Sequence, residues 1–234
     1  MASTINIQST VNWCLPFLEM QPLEIVGQEP ALSSAGLVLE TMLGPPFAWP
    51  WNRAVLSYQT NGSDWTQNSM TTFGHLEGGT VKALTGTQAW QVEVQNLLLV
   101  DTQQARPKYV SPFLDDGAGN ITFRLTPSPD QGYQVNLVYQ KKTPAVMSLA
   151  QTWSPVPDER NYICQWGFLS LMSLIGNDAR FGEYNSKFIT ALLGAQGGLN
   201  ELERNLFLAN WMRVLSQMQG TQIGVTERYK ARET

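Results

Sequence analysis

The sequence predicts an α+β chain in which helices at both ends flank a central antiparallel sheet. Apolar residues recur at helical spacing near the two ends, they alternate with polar residues in the middle, and glycine and proline clusters separate the two patterns. The predicted regions are 1–52 for N-terminal helices and an aromatic strip, 53–143 for a β domain, 144–157 for a proline-rich linker, 158–219 for a C-terminal helical hairpin or small bundle, and 220–234 for an extended arm.

Two helices are predicted in the first region. The first spans residues 9–20, where apolar side chains recur every three or four positions. The second begins near Pro30, which a first helical turn tolerates, and stops at Gly44-Pro45-Pro46. Residues 47–52 follow, and because Pro50 disfavours helical backbone at Trp49, this aromatic strip is predicted to be extended.

Strict alternation predicts strands between about residues 55 and 141. The apolar members of the alternating runs are Trp90, Val92 and Val94; Ile121, Phe123 and Leu125; and Tyr133, Val135, Leu137 and Tyr139. Turn signals lie at Asn61-Gly62, Gly78-Gly79, Asp116-Gly117 to Asn120, and Pro127 to Gly132. The pattern predicts an antiparallel meander or small sandwich of about five to seven strands.

The third region is predicted to open with Asp158 as the N-cap of a helix that runs to about residue 175. This helix has almost no polar face, since its apolar residues are Tyr162, Ile163, Cys164, Trp166, Phe168, Leu169, Leu171, Met172, Leu174 and Ile175. A helix that is apolar all round must be covered on every side, and we expect neighbouring subunits to supply part of that cover.

Two further helices and a tail complete the chain. The stripe of the next helix consists of Phe181, Tyr184, Phe188 and Leu192, and that helix ends at Gly194. Asn200 and Glu203 have the spacing of a capping box, and they start a last helix with the apolar residues Leu202, Leu206, Ala209 and Leu215. Beyond Gln219 the apolar period is lost, which predicts an extended, mobile arm.

The composition leaves few groups for catalysis. The 234 residues include one histidine, His75, and two cysteines, Cys14 and Cys164, which are far apart and form no motif. We therefore predict a non-enzymatic protein with no cofactor. Charged residues make up 15% of the chain against about 25% in ordinary soluble domains. Such a surface is typical of interfaces, because charges are costly to desolvate.

Charge and hydropathy argue against two classes of partner. The net charge of −4 provides no global attraction to nucleic acid or to an anionic membrane. The first twenty residues lack the basic region and apolar run of a signal peptide, and nowhere do about 18 apolar residues follow one another. We therefore expect a protein that stays in the cytosol and does not span a membrane.

Three short motifs admit a functional interpretation but favour a structural one. His75 has no second histidine with which to form a metal cluster. Gly78-Gly79 lacks the GxxxxGK[ST] pattern of a phosphate loop and is interpreted as a tight hairpin. Asp115, Asp116 and Asn120 are the metal candidates, but they fall short of a calcium loop, and Asp, Asn and Gly also suit tight turns. No metal is predicted.

Three stretches of the chain resemble the head-to-tail adaptor, or tail tube protein A, family of tailed bacteriophages. They are NITFRLTPSPDQGYQVNLVYQKKTP, TWSPVPDERNYICQWGFLSLMSLIGNDARF and NSKFITALLGAQGGLNELERNLFLANWM. The opening helices and residues 47–52 are similar to the entry of that family into its sheet region, whereas the likeness does not extend to residues 59–101.

The resemblance implies a structural virion protein of the phage neck, assembled in the host bacterial cytoplasm. Its subunits would form a ring, typically dodecameric, that joins the portal protein to a tail tube or nozzle protein and surrounds the channel through which double-stranded DNA passes without sequence recognition. No membrane is involved. The residues expected at oligomer or portal interfaces are Trp166, Phe168, Arg180, Glu227, Arg228, Tyr229, Lys230 and Arg232.

Two alternative functions stay open on the sequence. Eight tryptophans and an amide-rich sheet face suit a carbohydrate- or receptor-binding tail module, although packing is the favoured interpretation of the indoles. A carboxylate-based hydrolase would need two facing acidic side chains, and the spacing of the acidic residues does not indicate such a pair.

Overall fold

The computed structural model describes residues 3–18, 29–95, 103–197 and 199–230, and beyond residue 218 it describes the backbone alone. These residues form five α-helices and seven strands, which confirms the predicted mixture of helices with a mostly antiparallel sheet. The chain divides into two compact units. Unit 1 comprises Met1–Phe47 and Thr143–Thr234, and unit 2 comprises Ala48–Lys142.

Unit 1 contains all five described helices. They are α1 (Ile7–Cys14), α2 (Ala31–Leu43), α3 (Asn161–Ile175), α4 (Phe181–Gln196) and α5 (Glu201–Lys230). Asn6 caps α1 by accepting a hydrogen bond from the backbone N–H of Ser9 at 2.8 Å. The capping box predicted for α5 is confirmed, because the Asn200 side chain accepts from the Glu203 N–H at 2.9 Å while Glu203 accepts from the Asn200 N–H at 2.8 Å.

Helix α3 is the centre of unit 1. Eleven of its fifteen residues are buried, and α1, α2, α4 and α5 all pack against it. The two ends of the chain fold together and cover most of α3 within one chain, although Tyr162 is 39% exposed and Gln165, Trp166 and Ile175 are partly exposed. That neighbouring subunits cover these remaining positions stays a prediction.

Asp158 does not cap α3, contrary to the prediction. A 3-10 turn at Asp158–Arg160 precedes α3, and the N-cap position of the helix is Arg160. The Asp158 carboxylate instead accepts the backbone N–H of Thr4 at 2.9 Å and the Thr4 hydroxyl at 2.8 Å. These bonds lower the pKa of Asp158. They also fasten the start of the chain to the start of α3.

The predicted extended arm differs from the structure in its backbone. Helix α5 continues through residue 219 to Lys230, and residues 231–234 lie outside the described part of the chain. The segment between 219 and 230 contains no proline, and its glycines, Gly220 and Gly224, each weaken a helix by only about 1 kcal/mol. Because extending an existing helix is much easier than nucleating one, this segment stays helical without an apolar period of its own.

Unit 2 is a sheet that curls until it is nearly barrel-shaped. Its strands are β1 (Arg53–Thr60), β2 (Asp64–Gln67), β3 (Phe73–Ala83), β4 (Ala89–Val94), β5 (Tyr109–Asp115), β6 (Ile121–Thr126) and β7 (Tyr133–Lys141). Their order is β1-β7-β3-β4-β5-β6-β2. The predicted meander is wrong, because β1 pairs with the distant β7 and β4 pairs with β5 in parallel.

Alternation of side chains builds the core of unit 2. The apolar members of β4, β6 and β7 named above face one shared core, as predicted. Tyr58 of β1 stacks on Trp65 of β2 with ring centroids 5.3 Å apart, and Trp65 lies 5.6 Å from Phe123. The two end strands of the sheet therefore meet through their aromatic rings, although they do not pair with each other.

Gly78 and Gly79 do not form the predicted hairpin. Both lie inside β3, the longest strand, next to a β-bulge between Leu76 and Gly78. A Cβ atom on Gly79 would come within 2.7 Å of the Asn136 carbonyl oxygen and within 2.8 Å of the Leu137 side chain. Gly79 thus permits close packing of β3 on β7, which is a common reason for glycine in a strand. At Gly78 the nearest atom would be 3.9 Å away.

This difference yields a paired prediction on stability. Gly79→Ala should lower the free energy of unfolding by about 2 kcal/mol, because the added methyl group must displace the backbone of β7. Gly78→Ala should instead raise it by about 0.5 to 1 kcal/mol, because alanine loses less conformational freedom on folding and its methyl group meets no atom closer than 3.9 Å. Urea denaturation followed by tryptophan fluorescence measures both, and equal effects at the two positions would contradict this account.

Candidate functional site

A polar surface covers the outer face of strands β1, β7, β3 and β4. Core residues alternate with outward residues on these strands, so the outward positions form rows across the sheet. One row consists of Ser57, Asn136, Thr80 and Gln91, which are successive cross-strand neighbours. Within it the Ser57 hydroxyl donates to the Asn136 side-chain oxygen at 2.8 Å. We call this surface the outer sheet face.

The outer sheet face contains a groove of about 590 Å³. Its lining residues are Glu77, Gly78, Gly79, Thr80, Gln91, Val92, Glu93, Val94, Asn136 and Val138. The lining combines two carboxylates with amides, a hydroxyl and valines, and it includes no aromatic ring and no cation. Gly78 lines the groove without a side chain, which leaves more space there.

Glu77 marks one end of the groove and belongs to a polar cluster. Its carboxylate lies 2.7 Å from the Arg53 guanidinium and also accepts a hydrogen bond from the Gln140 side-chain amide. Burial raises the pKa of Glu77, but the bonds from Arg53 and Gln140 and the nearby charges of Arg53 and His75 outweigh that effect. The net pKa lies below its ordinary value of 4.5, so Glu77 is ionised at neutral pH.

The chemistry available at this groove is recognition by charge and hydrogen bonding. Glu77 is already engaged by Arg53, whereas exposed Glu93 makes no ion pair with any described residue. A cationic group that enters the groove would meet one free carboxylate beside amide and hydroxyl oxygens. His75 is placed beside Glu77 on β3 and acts on it through charge.

A second surface lies on the outside of α5. Its inward face carries Phe207, Trp211, Leu215 and Met218, all of which are buried. On the opposite side Leu202 is 78% exposed, Leu206 47% and Met212 61%. At about 100° per residue these three, with Ala209, fall within an arc of about 120°. We call this surface the α5 stripe.

The apolar residues of α5 lie on two sides of the helix. Of the four apolar residues that the sequence analysis names on this helix, Leu202, Leu206 and Ala209 are exposed and Leu215 alone is buried. Phe207 and Trp211 take the core positions, with the Phe207 ring 5.2 Å from Phe47. Helix α5 is apolar on two sides, so its period alone did not indicate which side faces inward.

Among the interface residues expected from the sequence, Trp166 and Arg180 lie in one aromatic cluster of unit 1. Trp166 is partly exposed, with its ring 5.5 Å from Trp13 and the Lys187 amine 4.8 Å above it. Arg180 is paired with Asp178 at 2.8 Å and donates to the Phe17 carbonyl at 2.7 Å, so it stabilises the chain itself.

The other expected interface residues are placed differently. Phe168 is 1% exposed and therefore belongs to the core of unit 1 rather than to an interface. Glu227, Arg228, Tyr229 and Lys230 lie in the last turns of α5, where the structure describes only the backbone. Arg232 lies outside the described residues.

The metal candidates lie in the turn between β5 and β6, where their oxygens bind the turn itself. Asp115 accepts the Gly117 N–H at 2.9 Å, and Asp116 accepts the Ala118 N–H at 2.8 Å. The side chain and backbone of Asn120 also donate to Asp116, and these bonds lower its pKa. Within the described residues no three His, Cys, Asp or Glu side chains are grouped as metal ligands.

No protein-family model matches this chain, and no curated protein matches its sequence. Within the described ranges no helix combines the length and the apolar character that crossing a membrane requires.

The Glu77 cluster yields a prediction on pH dependence. Because the folded-state pKa of Glu77 is lowered, its ion pair stabilises the fold above about pH 4.5, and this contribution disappears as the pH falls through the lowered pKa. Glu77→Gln should cost about 0.5 to 1 kcal/mol at pH 7, the size of a partly exposed ion pair, and progressively less at acid pH. Unfolding free energies measured from pH 7 to pH 2.5 test this.

The matched control for this experiment is Arg53→Gln, which removes the cation that pairs with Glu77. The double variant should lose little more stability than either single variant, because each single change already breaks the same pair. A loss that does not depend on pH, or strictly additive losses, would contradict the assigned role of Glu77.

Proposed function

We propose that this chain is a non-enzymatic structural subunit that assembles with identical copies into a ring, typically dodecameric, in the neck of a tailed bacteriophage. The ring joins the portal protein to a tail tube or nozzle protein, surrounds the passage of double-stranded DNA, and is assembled in the host bacterial cytoplasm. The observation that carries the proposal is the α5 stripe, an apolar helix face that none of the described residues covers.

The energetics of the α5 stripe support assembly. Exposed apolar patches on soluble proteins mark interaction sites, and burying one Leu or Met side chain completely stabilises a complex by roughly 1.5–3 kcal/mol. Leu202 and Met212 retain most of their exposure in the isolated chain. Burying them against a second protein therefore supplies several kcal/mol of favourable free energy, before the cost of association is subtracted.

The balance of charge supports a scaffold rather than a DNA-binding protein. Strong basic surfaces hold DNA by releasing counterions, which would oppose its passage through a channel. The chain has 15 basic and 19 acidic residues, and its polar surface is rich in amides and hydroxyls. Such a surface lets a duplex pass without holding it.

The reactive groups of the chain support a structural role. Burial raises the pKa of the Cys14 thiol to about 12 and raises that of Cys164 as well, so neither thiol forms a nucleophilic thiolate at neutral pH. The Cys164 sulfur lies 3.8 Å from the Met42 sulfur, in the helical core. Both cysteines therefore act as packing residues.

A carbohydrate- or receptor-binding tail module is the second candidate. The polar groove on the outer sheet face favours it, because amide, hydroxyl and carboxylate groups are what sugar hydroxyls require. The groove contains no aromatic ring on which a pyranose could stack. Glycan-array binding that disappears in Asn136→Ala would favour this candidate over the ring.

The ring proposal is tested by mass measurement and electron microscopy. The purified chain, alone and after addition to phage portals, is expected to form closed rings on the portal axis. A chain that stays monomeric under both conditions and is missing from virions overturns the proposal.

The α5 stripe provides a prediction at the level of residues. Replacing Leu202, Leu206 and Met212 together by serine should abolish ring formation while changing the free energy of unfolding by less than about 1 kcal/mol, because these side chains contact solvent. As a control on the same helix, Phe207→Ser should unfold unit 1. Circular dichroism and sedimentation velocity distinguish the two effects, and rings formed by the triple variant would contradict the role of the stripe.

A further inference from the structure

We propose that the ring is closed by a head-to-tail contact in which the α5 stripe of one copy docks on the outer sheet face of the next. This inference rests on the proposed ring and names the two surfaces that build it. A ring requires two different complementary patches on each subunit, whereas a two-fold dimer uses one patch twice. One patch lies in unit 1 and the other in unit 2.

The charges of the two patches are complementary. Between Leu202 and Arg213, the arc of the α5 stripe includes exposed Arg213, which makes no ion pair with a described residue, and it includes no carboxylate. The groove on the outer sheet face contains Glu93 and Glu77 and no cation. Docking therefore brings the free guanidinium of Arg213 to the free carboxylate of Glu93, and opposite charges across an interface favour the correct partner.

The same charges disfavour pairing of like surfaces. Two copies of the α5 stripe would bring two Arg213 side chains together without an anion. Two outer sheet faces would bring two Glu93 carboxylates together. Because juxtaposed like charges are costly, the head-to-tail contact is the favoured arrangement of these two patches.

The apolar parts of the two patches also correspond. Beside the groove, Val55 of β1 is 64% exposed and is the cross-strand neighbour of Val138, which is in turn the neighbour of Gly78. These valines offer an apolar strip next to the carboxylates, as the leucines and Met212 do next to Arg213. From Leu202 to Arg213 the helix rises about 16 Å, and four strands span about 14 Å between the outer two, so the helix can cross the whole face.

Gly78 gives the groove the shape that a helix needs. Its backbone does not require glycine, because it is not among the described glycines with positive φ and a Cβ atom would meet nothing closer than 3.9 Å. Any larger side chain at this position would project into the groove. Glycine therefore leaves room there for a side chain of the neighbouring copy.

Charge reversal tests the contact. Glu93→Arg and Arg213→Glu are each expected to raise the concentration at which rings form by at least about tenfold, and the double variant should recover most of that loss because the pair is restored in reverse. Arg204→Glu is the matched control, since Arg204 is exposed about 180° away from Arg213 around α5 and should not affect assembly. Sedimentation velocity across a concentration series measures all four proteins.

A cross-linking experiment tests whether Gly78 of one copy lies near Met212 of the next. A mixture of Gly78→Cys and Met212→Cys chains, treated with a short bismaleimide, should give covalent dimers, and the double variant should give a ladder up to the full ring. Each single variant alone should stay monomeric on a denaturing gel, as should the wild type, whose cysteines are buried.

The outcomes separate the two proposals. Rings with the expected ladder and with recovery in the charge-swapped double variant support the contact. Rings that are insensitive to charge reversal and give no ladder overturn the contact while the ring proposal stands, and cross-links within Met212→Cys alone overturn it in favour of two-fold pairing of α5. A chain that forms no ring, alone or on portals, overturns both.

Discussion

The fold of unit 1 depends on the need to cover α3. Eleven of the fifteen positions of α3 are buried, so other helices must pack around most of its surface. Two separate parts of the sequence, Met1–Phe47 and Thr143–Thr234, form unit 1, and unit 2 comprises the residues between them in the sequence. The bonds from Ser3 and Thr4 to Asp158 fasten the first of these parts to the start of α3.

That result changes where an interface must be sought. The all-round apolar helix and the low charge both predict neighbouring subunits, but most of α3 is buried inside unit 1. The uncovered apolar surface lies on α5. One apolar side of this helix packs on Phe47 and Phe188, and the other faces solvent. Two outer surfaces, the α5 stripe and the outer sheet face, carry few charged side chains and are therefore suited to an interface.

The sequence predicted the fold where one local pattern decided the structure. Strands β4, β6 and β7 and the stripe of α4 were found because each has one apolar side. Where two patterns competed, prediction was wrong: Gly78-Gly79 has the composition of a turn but lies in a strand, and α5 has two apolar sides. Pairing of β1 with β7 joins residues about eighty positions apart, which no local pattern records. The groove was missed for the same reason, since Glu77, Gln91 and Asn136 come from three strands.

Gly78 connects the energetics of the sheet with the proposed assembly. Glycine inside a strand lowers the stability by roughly 0.5–1 kcal/mol relative to alanine. It loses more conformational freedom on folding, and it has no side chain to pack against its neighbours. At Gly79 close packing against Asn136 and Leu137 offsets that cost. At Gly78 no described neighbour packs closely enough to offset the cost of glycine. The position lines a groove that also contains Glu93. A residue that lowers the stability of its own chain is expected at a binding surface, because contacts with the bound partner can offset that loss. The bare backbone at Gly78 is therefore the strongest local reason to place the neighbouring subunit on this face of the sheet.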